Sequence, residues 1–335
     1  MFRVLEADTA DELWLKAAAW FGPDGRAAEQ SSRCGEMTEV LHAALSLADP
    51  RQRWIASRSP AMNPAFALAE VIWIVSGRND SAFLNYFNRK LPEFAGKGPK
   101  YHGAYGFRLR KHFGLDQLQH AYRALSATHD SRQIVLQIWD GNVDLPGEDG
   151  GPRSEDVPCN VISLLKIREG RLEWTQIMRS NDLVLGMPHN IVQFTSLQEV
   201  VAGWLGVEIG GYHHFADSLH LYDRDAPVAE RIAPELLPRN DESIALPKVE
   251  SDRSFLSLAR LGDKLASSET DVEGVLVAFS AVDLAPAFRN WAAVLAADAL
   301  RRRSAFGELE AVMSECSNSC LSTMFERWLR RTATQ

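Results

Sequence analysis

The stretch that decides the fold runs from Pro158 to Asn190 and reads PCNVISLLKIREGRLEWTQIMRSNDLVLGMPHN. Two apolar runs, Asn160–Ile167 and Leu172–Met178, flank the dipeptide Glu169-Gly170. A short glycine-containing connection between two such runs is typical of a tight β-hairpin turn. The stretch therefore predicts two antiparallel strands.

Reactive side chains lie at the open end of this hairpin. Cys159 begins the first strand, and Arg179-Ser180-Asn181-Asp182 ends the second. Antiparallel pairing predicts that the thiol lies near a guanidinium, which favours the nucleophilic thiolate. Arg179 with Ser180 also suits a phosphate. Taken alone, however, such a cysteine is more often a buried small apolar residue, and such a strand end is more often a solvated turn.

The composition limits the class of protein. The chain has 335 residues, 46% hydrophobic content and a net charge of −8, which predicts a sizeable core and no bulk nucleic-acid binding. No apolar run reaches membrane-spanning length and residues 1–13 do not resemble a signal peptide, so we expect a cytoplasmic protein. Four cysteines are too few for a disulfide framework, and the spacing of Cys316 and Cys320 favours helix packing over a metal site.

The ordered motifs resemble the thymidylate synthase family, which includes the pyrimidine nucleotide hydroxymethylases. The family pattern of Pro-Cys, a hairpin, Arg-Ser-x-Asp and Leu-Gly-x-Pro-x-Asn matches Pro158-Cys159, Arg179–Asp182 and Leu185–Asn190. Four further landmarks follow the family order: Arg33, Glu70 in Ala69–Trp73, Tyr105 in Gly103–Gly106, and His220-Leu221-Tyr222. The resemblance covers roughly residues 25–225.

The resemblance implies an α/β (α+β) fold, with a large mixed β-sheet flanked by helices and two subunits meeting through their sheets. Residues 1–225 would form the catalytic domain. Beyond them, Pro227–Pro247 is polar and contains prolines, as connectors do, and Asp271–Arg331 has a mostly helical pattern. Residues 226–335 are therefore expected to form a divergent connector and a helical region packed on the core.

By resemblance, the chain binds a pyrimidine nucleoside monophosphate. The expected contacts to the phosphate and the sugar 3′-hydroxyl are Arg33, Arg179, Ser180, Arg132 from the other subunit of a homodimer, His220 and Tyr222. Asn190 would orient the ring, because a neutral amide can both donate to and accept from the uracil edge. Without the resemblance, Asn190 would be interpreted as the N-cap of a helix over Asn190–Leu205. Gly186, from the same motif, is assigned to the substrate site.

The resemblance also implies a covalent mechanism. Cys159 would add to C6 of uracil and make C5 a nucleophilic carbon. Glu70 and Tyr105 would move protons through ordered water, and Asp182 would bind the pterin of 5,10-methylenetetrahydrofolate, which supplies the one-carbon unit. From the residues alone, Glu70 in the apolar helix predicted over Asn63–Ser76 could equally have a structural partner.

Several positions depart from the family pattern. The segment before Tyr105 lacks the usual tryptophans, Gln133 replaces a second arginine, and Asn160 stands where histidine is common. The family's closing C-terminal tail is not evident either. We predict conversion of dUMP to dTMP, with pyrimidine 5-hydroxymethylation as the alternative because a more open site would admit water. A nucleotide-binding protein without catalysis is the third possibility.

Overall fold

The computed structural model describes residues 2–23, 25, 27–32, 35–227 and 236–333. Eight strands lie in this part of the chain: β1 (Arg3–Ala7), β2 (Ala28–Ser32), β3 (Gly35–Leu47), β4 (Ile134–Gln137), β5 (Asn160–Arg168), β6 (Arg171–Met178), β7 (Asn181–Asp182) and β8 (Glu208–Tyr222). The helices are α1 (Ala10–Ala18), α2 (Pro64–Val75), α3 (Ser81–Phe87), α4 (Pro92–Ala95), α5 (Tyr105–Phe107), α6 (Gln117–Ala127), α7 (Gly141–Asp144), α8 (Gly186–Leu205), α9 (Lys248–Ala266), α10 (Val272–Ser280), α11 (Pro286–Arg302), α12 (Phe306–Ser314) and α13 (Ser319–Ala333).

The strands form one mixed sheet in the order β1-β3-β8-β6-β5-β4, with β2 beside β3 and β7 beside β8. The β1–β3, β6–β8 and β7–β8 pairs are parallel, and the remaining pairs are antiparallel. Helices α1, α6 and α8 contact the sheet, and α2 packs on α8. The predicted fold, a large mixed sheet flanked by helices, is confirmed.

The predicted hairpin is present. Strands β5 and β6 pair from Arg168↔Arg171 at the turn to Asn160↔Met178 at the open end. The two turn residues, Glu169 and Gly170, have φ of 50° and 72°. Positive φ at both positions gives a turn whose twist matches that of the strands, and the short connection fixes the register from Arg168↔Arg171 to Ile162↔Ile177. The register then shifts by one residue between Asn160 and Ile162, as at a β-bulge, which pairs Asn160 with Met178.

Helix α2 matches its prediction, whereas α8 differs at its start. The Asn63 side chain accepts a hydrogen bond from the Phe66 N–H at 3.2 Å and caps α2, with Pro64 in the first turn. Helix α8 begins at Gly186, one turn earlier than predicted, so Asn190 is not its N-cap. The Asn190 amide is instead buried and hydrogen-bonded to other side chains.

The C-terminal helices complete the burial of α2. Helices α9, α11 and α13 all contact α2, and every residue of α2 except Glu70 is buried. Among the described helices, none combines the length and apolar character needed to cross a bilayer. Part of the predicted connector, residues 228–235, lies outside the described residues. The division into domains at residue 225 stays a prediction.

The face of the sheet opposite helix α8, here called the outer face, is partly exposed. Ile162 pairs with Ile177, Ile177 with Phe215, and Phe215 with Ala44, which gives an apolar row across four strands. All four side chains are half-buried in the single chain. Phe2, which is 66% exposed, packs its ring 5.8 Å from that of Phe215.

A buried ion pair between Arg53 and Glu199 connects α8 to two other segments of the chain. Arg53 pairs with Glu199, and its Nη1 donates to Ser196 Oγ at 2.6 Å. The Oε1 atom of Glu199 accepts from the Ser243 hydroxyl at 2.9 Å and the Ile244 N–H at 3.1 Å. Both charged side chains are almost fully buried.

We predict that Glu199→Ala lowers the free energy of unfolding by about 3–5 kcal/mol, because it leaves Arg53 buried without its counter-charge. Urea denaturation followed by circular dichroism would measure the change. Glu310→Ala, at an exposed position on α12, is the control and should alter stability by less than about 0.5 kcal/mol. A loss for Glu199→Ala as small as that of the control would contradict a stabilising role for the pair.

Candidate active site

Cys159 and Arg179 meet at the open end of the β5–β6 hairpin. The Arg179 N–H donates to the Cys159 carbonyl at 2.9 Å, which continues the ladder one step beyond the strands. The guanidinium donates to the carbonyls of Pro158 at 3.0 Å and Val157 at 3.2 Å, and lies 5.5 Å from the Trp139 ring. Its Nη2 is 4.0 Å from the Cys159 sulfur, which is half-buried. The predicted proximity of thiol and guanidinium is therefore present.

The strand end after Arg179 lies against β8. Asp182 pairs with His220 in parallel register, and Ser180 Oγ is 3.4 Å from His220 Nδ1. The rings of His220 and Tyr222 are 5.0 Å apart, as expected for residues two apart on one strand face. Burial lowers the pKa of His220, so the imidazole is neutral at pH 7. The structure thus brings Ser180, His220 and Tyr222 together.

A tight turn joins this strand end to helix α8. Asp182 Oδ1 accepts from the N–H groups of Val184 at 2.6 Å and Leu185 at 2.7 Å. A Cβ on Gly186 would lie 3.0 Å from Asn181 Nδ2. Glycine therefore lets the first turn of α8 approach the strand end closely enough for Asn190 to reach Asn181.

A hydrogen-bonded relay fixes the orientation of Asn190. The Tyr212 hydroxyl lies 3.0 Å from His214 Nδ1, and His214 Nε2 lies 2.9 Å from Asn181 Oδ1. Asn181 Nδ2 donates to Asn190 Oδ1 at 2.9 Å, and Asn190 Nδ2 donates to Gln193 Oε1 at 3.1 Å. Burial lowers the pKa of His214 to about 4, so its ring is neutral and can accept from Tyr212 while donating to Asn181. Asn190 is left with one N–H and one acceptor position of fixed direction.

Glu70 forms a pair with His189. The His189 Nδ1 atom is 2.6 Å from Glu70 Oε2, and the two side chains are 15% and 14% exposed. The Phe66 ring lies 5.0 Å from the imidazole. This contact joins residues 119 positions apart in sequence, and no local pattern predicted it.

Tyr105 lies near both the cysteine and this pair. Its ring packs 6.0 Å from that of Phe194. Burial raises the pKa of the Tyr105 hydroxyl, and the nearby charges of Cys159 and Glu70 act in the same direction. The phenol therefore stays protonated at neutral pH and can donate a hydrogen bond.

Of two further predicted phosphate ligands, one lies outside the described residues and the other lies far from the Cys159 of its own chain. Arg33 lies outside the described residues. Arg132 is exposed and precedes β4, where Ile134 pairs with Leu165. Since Leu165 is six residues along the chain from Cys159, the start of β4 lies roughly 20 Å from Cys159 at the usual rise of a strand.

Arg58 is a further candidate that the sequence did not indicate. It is 6% exposed, and its Nε atom has no hydrogen-bond partner among the described residues. Burial, together with the nearby Arg331, lowers the pKa of Arg58 to about 10. The nearby carboxylates of Asp182 and Asp225 act in the opposite direction and raise it. Helix α13 contributes Arg331, whose Nη1 donates to the Ala61 carbonyl at 2.9 Å.

Comparisons with known proteins agree on the family. The family model for thymidylate synthase matches residues 28–258, past the predicted domain end at residue 225. The chain is similar to the deoxyuridylate hydroxymethyltransferase of Pseudomonas phage M6, with 37% identity over 187 residues, which are 55% of this chain and 51% of the relative. It is also similar to the deoxyuridylate hydroxymethyltransferase of Bacillus phage SP01, with 34% identity over 231 residues, which are 65% of this chain and 59% of the relative. It is also similar to a "Putative thymidylate synthase" of Methanothermobacter marburgensis (30% over 235 residues, 68% and 96%). The chain thus spans only about half to three fifths of the phage relatives.

We predict that Arg179→Gln slows alkylation of Cys159 by iodoacetamide about fivefold at pH 7. A charge 4.0 Å from the sulfur in a largely solvated setting stabilises the thiolate by roughly 1 kcal/mol. Mass spectrometry of the Cys159 peptide over time would measure the rate. Cys320, whose pKa burial raises to about 12, is the unreactive internal reference.

The matched control for this measurement is Arg253→Gln, which removes an exposed charge on α9. It should leave the Cys159 rate unchanged. Equal rates in the wild type and Arg179→Gln would show that the guanidinium does not activate the thiol.

Proposed function

The chain belongs to the thymidylate synthase family, and on that premise we propose that it transfers a one-carbon unit to C5 of dUMP, with the Cys159 sulfur as covalent nucleophile. The observation that carries this proposal is the half-buried Cys159 thiol 4.0 Å from the Arg179 guanidinium, beside Ser180 and His220. Addition of the thiolate to C6 moves electron density to C5, which then forms the new carbon–carbon bond. C5 then loses its proton, and elimination of the sulfur restores the C5–C6 double bond.

The contacts around the nucleotide follow from the charges and the relay. Arg179 and Ser180 offer a guanidinium and a hydroxyl to the phosphate, and His220 and Tyr222 offer polar groups to the sugar. Asn190 meets the ring edge with one donor and one acceptor, directed by Asn181. Uracil presents both a ring N–H and a carbonyl on that edge, so the relay favours uracil over cytosine.

The residues near Asp182 fit the pterin of a reduced folate. The Asp182 Oδ2 atom accepts no hydrogen bond from the described residues, and Arg58 Nε is a buried donor without a partner among them. An acceptor near an unpaired donor suits the mixed N–H and carbonyl edge of a pterin. Methylenetetrahydrofolate, when bound, supplies the one-carbon unit and, for a methyl product, the hydride.

Between the two products, hydroxymethyl transfer is favoured. Both phage relatives named above are deoxyuridylate hydroxymethyltransferases. The polar Glu70–His189 pair near Tyr105 also provides groups that can hold a water molecule. Methylation, the product that the sequence alone favoured, is the second candidate, supported by the Methanothermobacter relative that the chain matches over 96% of its length.

The deciding experiment supplies the protein with isotopically labelled methylenetetrahydrofolate and either dUMP or dCMP. We expect dUMP to gain a hydroxymethyl group, one oxygen atom heavier than a methyl group by mass spectrometry, and dCMP to react much more slowly. Cys159→Ala should abolish turnover, whereas Cys316→Ala, which alters another half-buried cysteine, should not. Turnover by Cys159→Ala, or a product formed only from dCMP, would overturn the proposal.

We also propose a homodimer that joins through the outer faces of the two sheets. The apolar row of Ile162, Ile177, Phe215 and Ala44 needs a cover, and subunit association would bury it. Arg132 precedes β4 and lies too far from the Cys159 of its own chain to reach it, which is consistent with donation to the partner's phosphate site.

This arrangement predicts that two inactive variants restore each other. Cys159→Ala mixed with Arg132→Ala should recover about a quarter of wild-type activity after subunit exchange, because half of the dimers then carry one complete site. Cys159→Ala mixed with Arg179→Ala is the matched control and should stay inactive, since Arg179 serves its own chain. Recovery in both mixtures, or in neither, would contradict donation of Arg132 across the interface.

A further inference from the structure

The Glu70–His189 pair has the geometry of a base held by a carboxylate. Glu70 is the one residue of α2 that is not buried, and His189 lies in the first turn of α8 beside Asn190. Because a carboxylate can only accept, the contact of 2.6 Å between His189 Nδ1 and Glu70 Oε2 requires a hydrogen on Nδ1. A neutral imidazole that donates through Nδ1 has its lone pair on Nε2.

The imidazole is also fixed by its neighbours. The Phe66 ring, 5.0 Å away, restricts rotation of the His189 ring, and Phe66 itself is 5% exposed. Nε2 has no hydrogen-bond partner in the part of the chain that the structure describes. A histidine that acts as a catalytic base is commonly held in the same way, with its other ring nitrogen hydrogen-bonded to a carboxylate.

The pair lies close to the proposed site of chemistry. Asn190, whose side chain is directed towards the ring edge by the relay, is the next residue along α8. Tyr105 lies within electrostatic reach of both Cys159 and Glu70. These contacts place a potential base within one turn of α8 from the group that would orient the pyrimidine.

We propose, building on the proposed function, that His189 is a catalytic base for the water that forms the hydroxymethyl group and that Glu70 is its positioning residue. After one-carbon transfer, loss of the C5 proton and release of tetrahydrofolate, C5 carries an exocyclic methylene and C6 still carries the Cys159 sulfur. The water oxygen bonds to the methylene carbon while one of its protons passes to His189 Nε2. The methylene electron pair becomes the C5–C6 double bond, and the C6–S bond breaks with its electrons on the sulfur. His189 then loses its proton to solvent.

The test separates the early steps from the water step. Release of tritium from C5 of [5-³H]dUMP reports removal of the ring proton, and the amount of hydroxymethyl product reports the attack of water. An added small thiol can trap the methylene without help from His189, because part of it is already ionised near neutral pH. The ratio of hydroxymethyl product to tritium released is therefore the measured quantity.

We expect His189→Phe to lower this ratio at least about tenfold, in line with the usual contribution of a general base, and to increase the thiol adduct. Tritium release should fall no more than about threefold, because Cys159 and Asn190 remain in place. His189→Gln can still donate to Glu70 but lacks the base, so it should behave like His189→Phe. The matched control is His112→Gln, which alters another imidazole–carboxylate pair, 2.7 Å from Asp140, and should leave the ratio unchanged.

Each other outcome has a distinct meaning. Parallel losses of tritium release and product in both His189 variants would show a structural role and overturn the proposal. Normal hydroxymethyl formation by His189→Gln would also overturn the proposal, because glutamine keeps a contact with Glu70 but cannot act as a base. Methyl product alone from the wild type would overturn the water step but preserve one-carbon transfer. No tritium release from the wild type would instead contradict the proposed function, and the role of His189 with it.

Discussion

The site depends on the pairing register of the β5–β6 hairpin. Asn160 pairs with Met178, so the residues just beyond that pair, Cys159 and Arg179, meet at its open end. Side chains on a strand alternate between the two faces, and a slip of one residue would turn the sulfur to the opposite side of the sheet. The turn at Glu169-Gly170, with both φ values positive, sets the register as far as Ile162↔Ile177, and a one-residue shift between Asn160 and Ile162 then aligns Asn160 with Met178. The rest of the site is then positioned by continuation of the same strand along β8.

The sequence predicted what is encoded locally and missed what is encoded at a distance. The hairpin, the helix over α2 and the proximity of Cys159 to Arg179 all follow from patterns within a few tens of residues. The start of α8 was wrong by one turn because an asparagine before an apolar run is typical of an N-cap, and here its amide bonds Asn181 instead. Polar residues at inward positions of a strand, such as His214 on β8, were a usable signal, since a buried polar group needs a partner. The identity of that partner could not be derived, because the contact depends on strand order.

Burial explains how the C-terminal helices help to position Glu70. Helix α2 is apolar on nearly all sides, and such a helix needs cover on every face. Helix α8 covers one side, and α9, α11 and α13 cover others. The Arg53–Glu199 pair then ties α8 to the loop before α2 and to the segment that leads into α9. With its helix held on all sides, Glu70 has little freedom to move, which is what a group that orients another side chain requires.

Two chains of polar contacts reach neighbouring residues of α8, and under the proposed function this proximity connects the choice of base with the fate of the new carbon. The relay from Tyr212 through His214 and Asn181 reaches Asn190, and the contact from Glu70 reaches His189. Both depend on the close approach of Gly186 to Asn181, because that approach sets where the first turn of α8 lies. A shift of this turn would therefore move the ring-orienting amide and the imidazole together. In the proposed reaction, the water and the pyrimidine are therefore both positioned by one rigid element, and the distance between them is set by the backbone of α8, which varies little compared with a flexible loop.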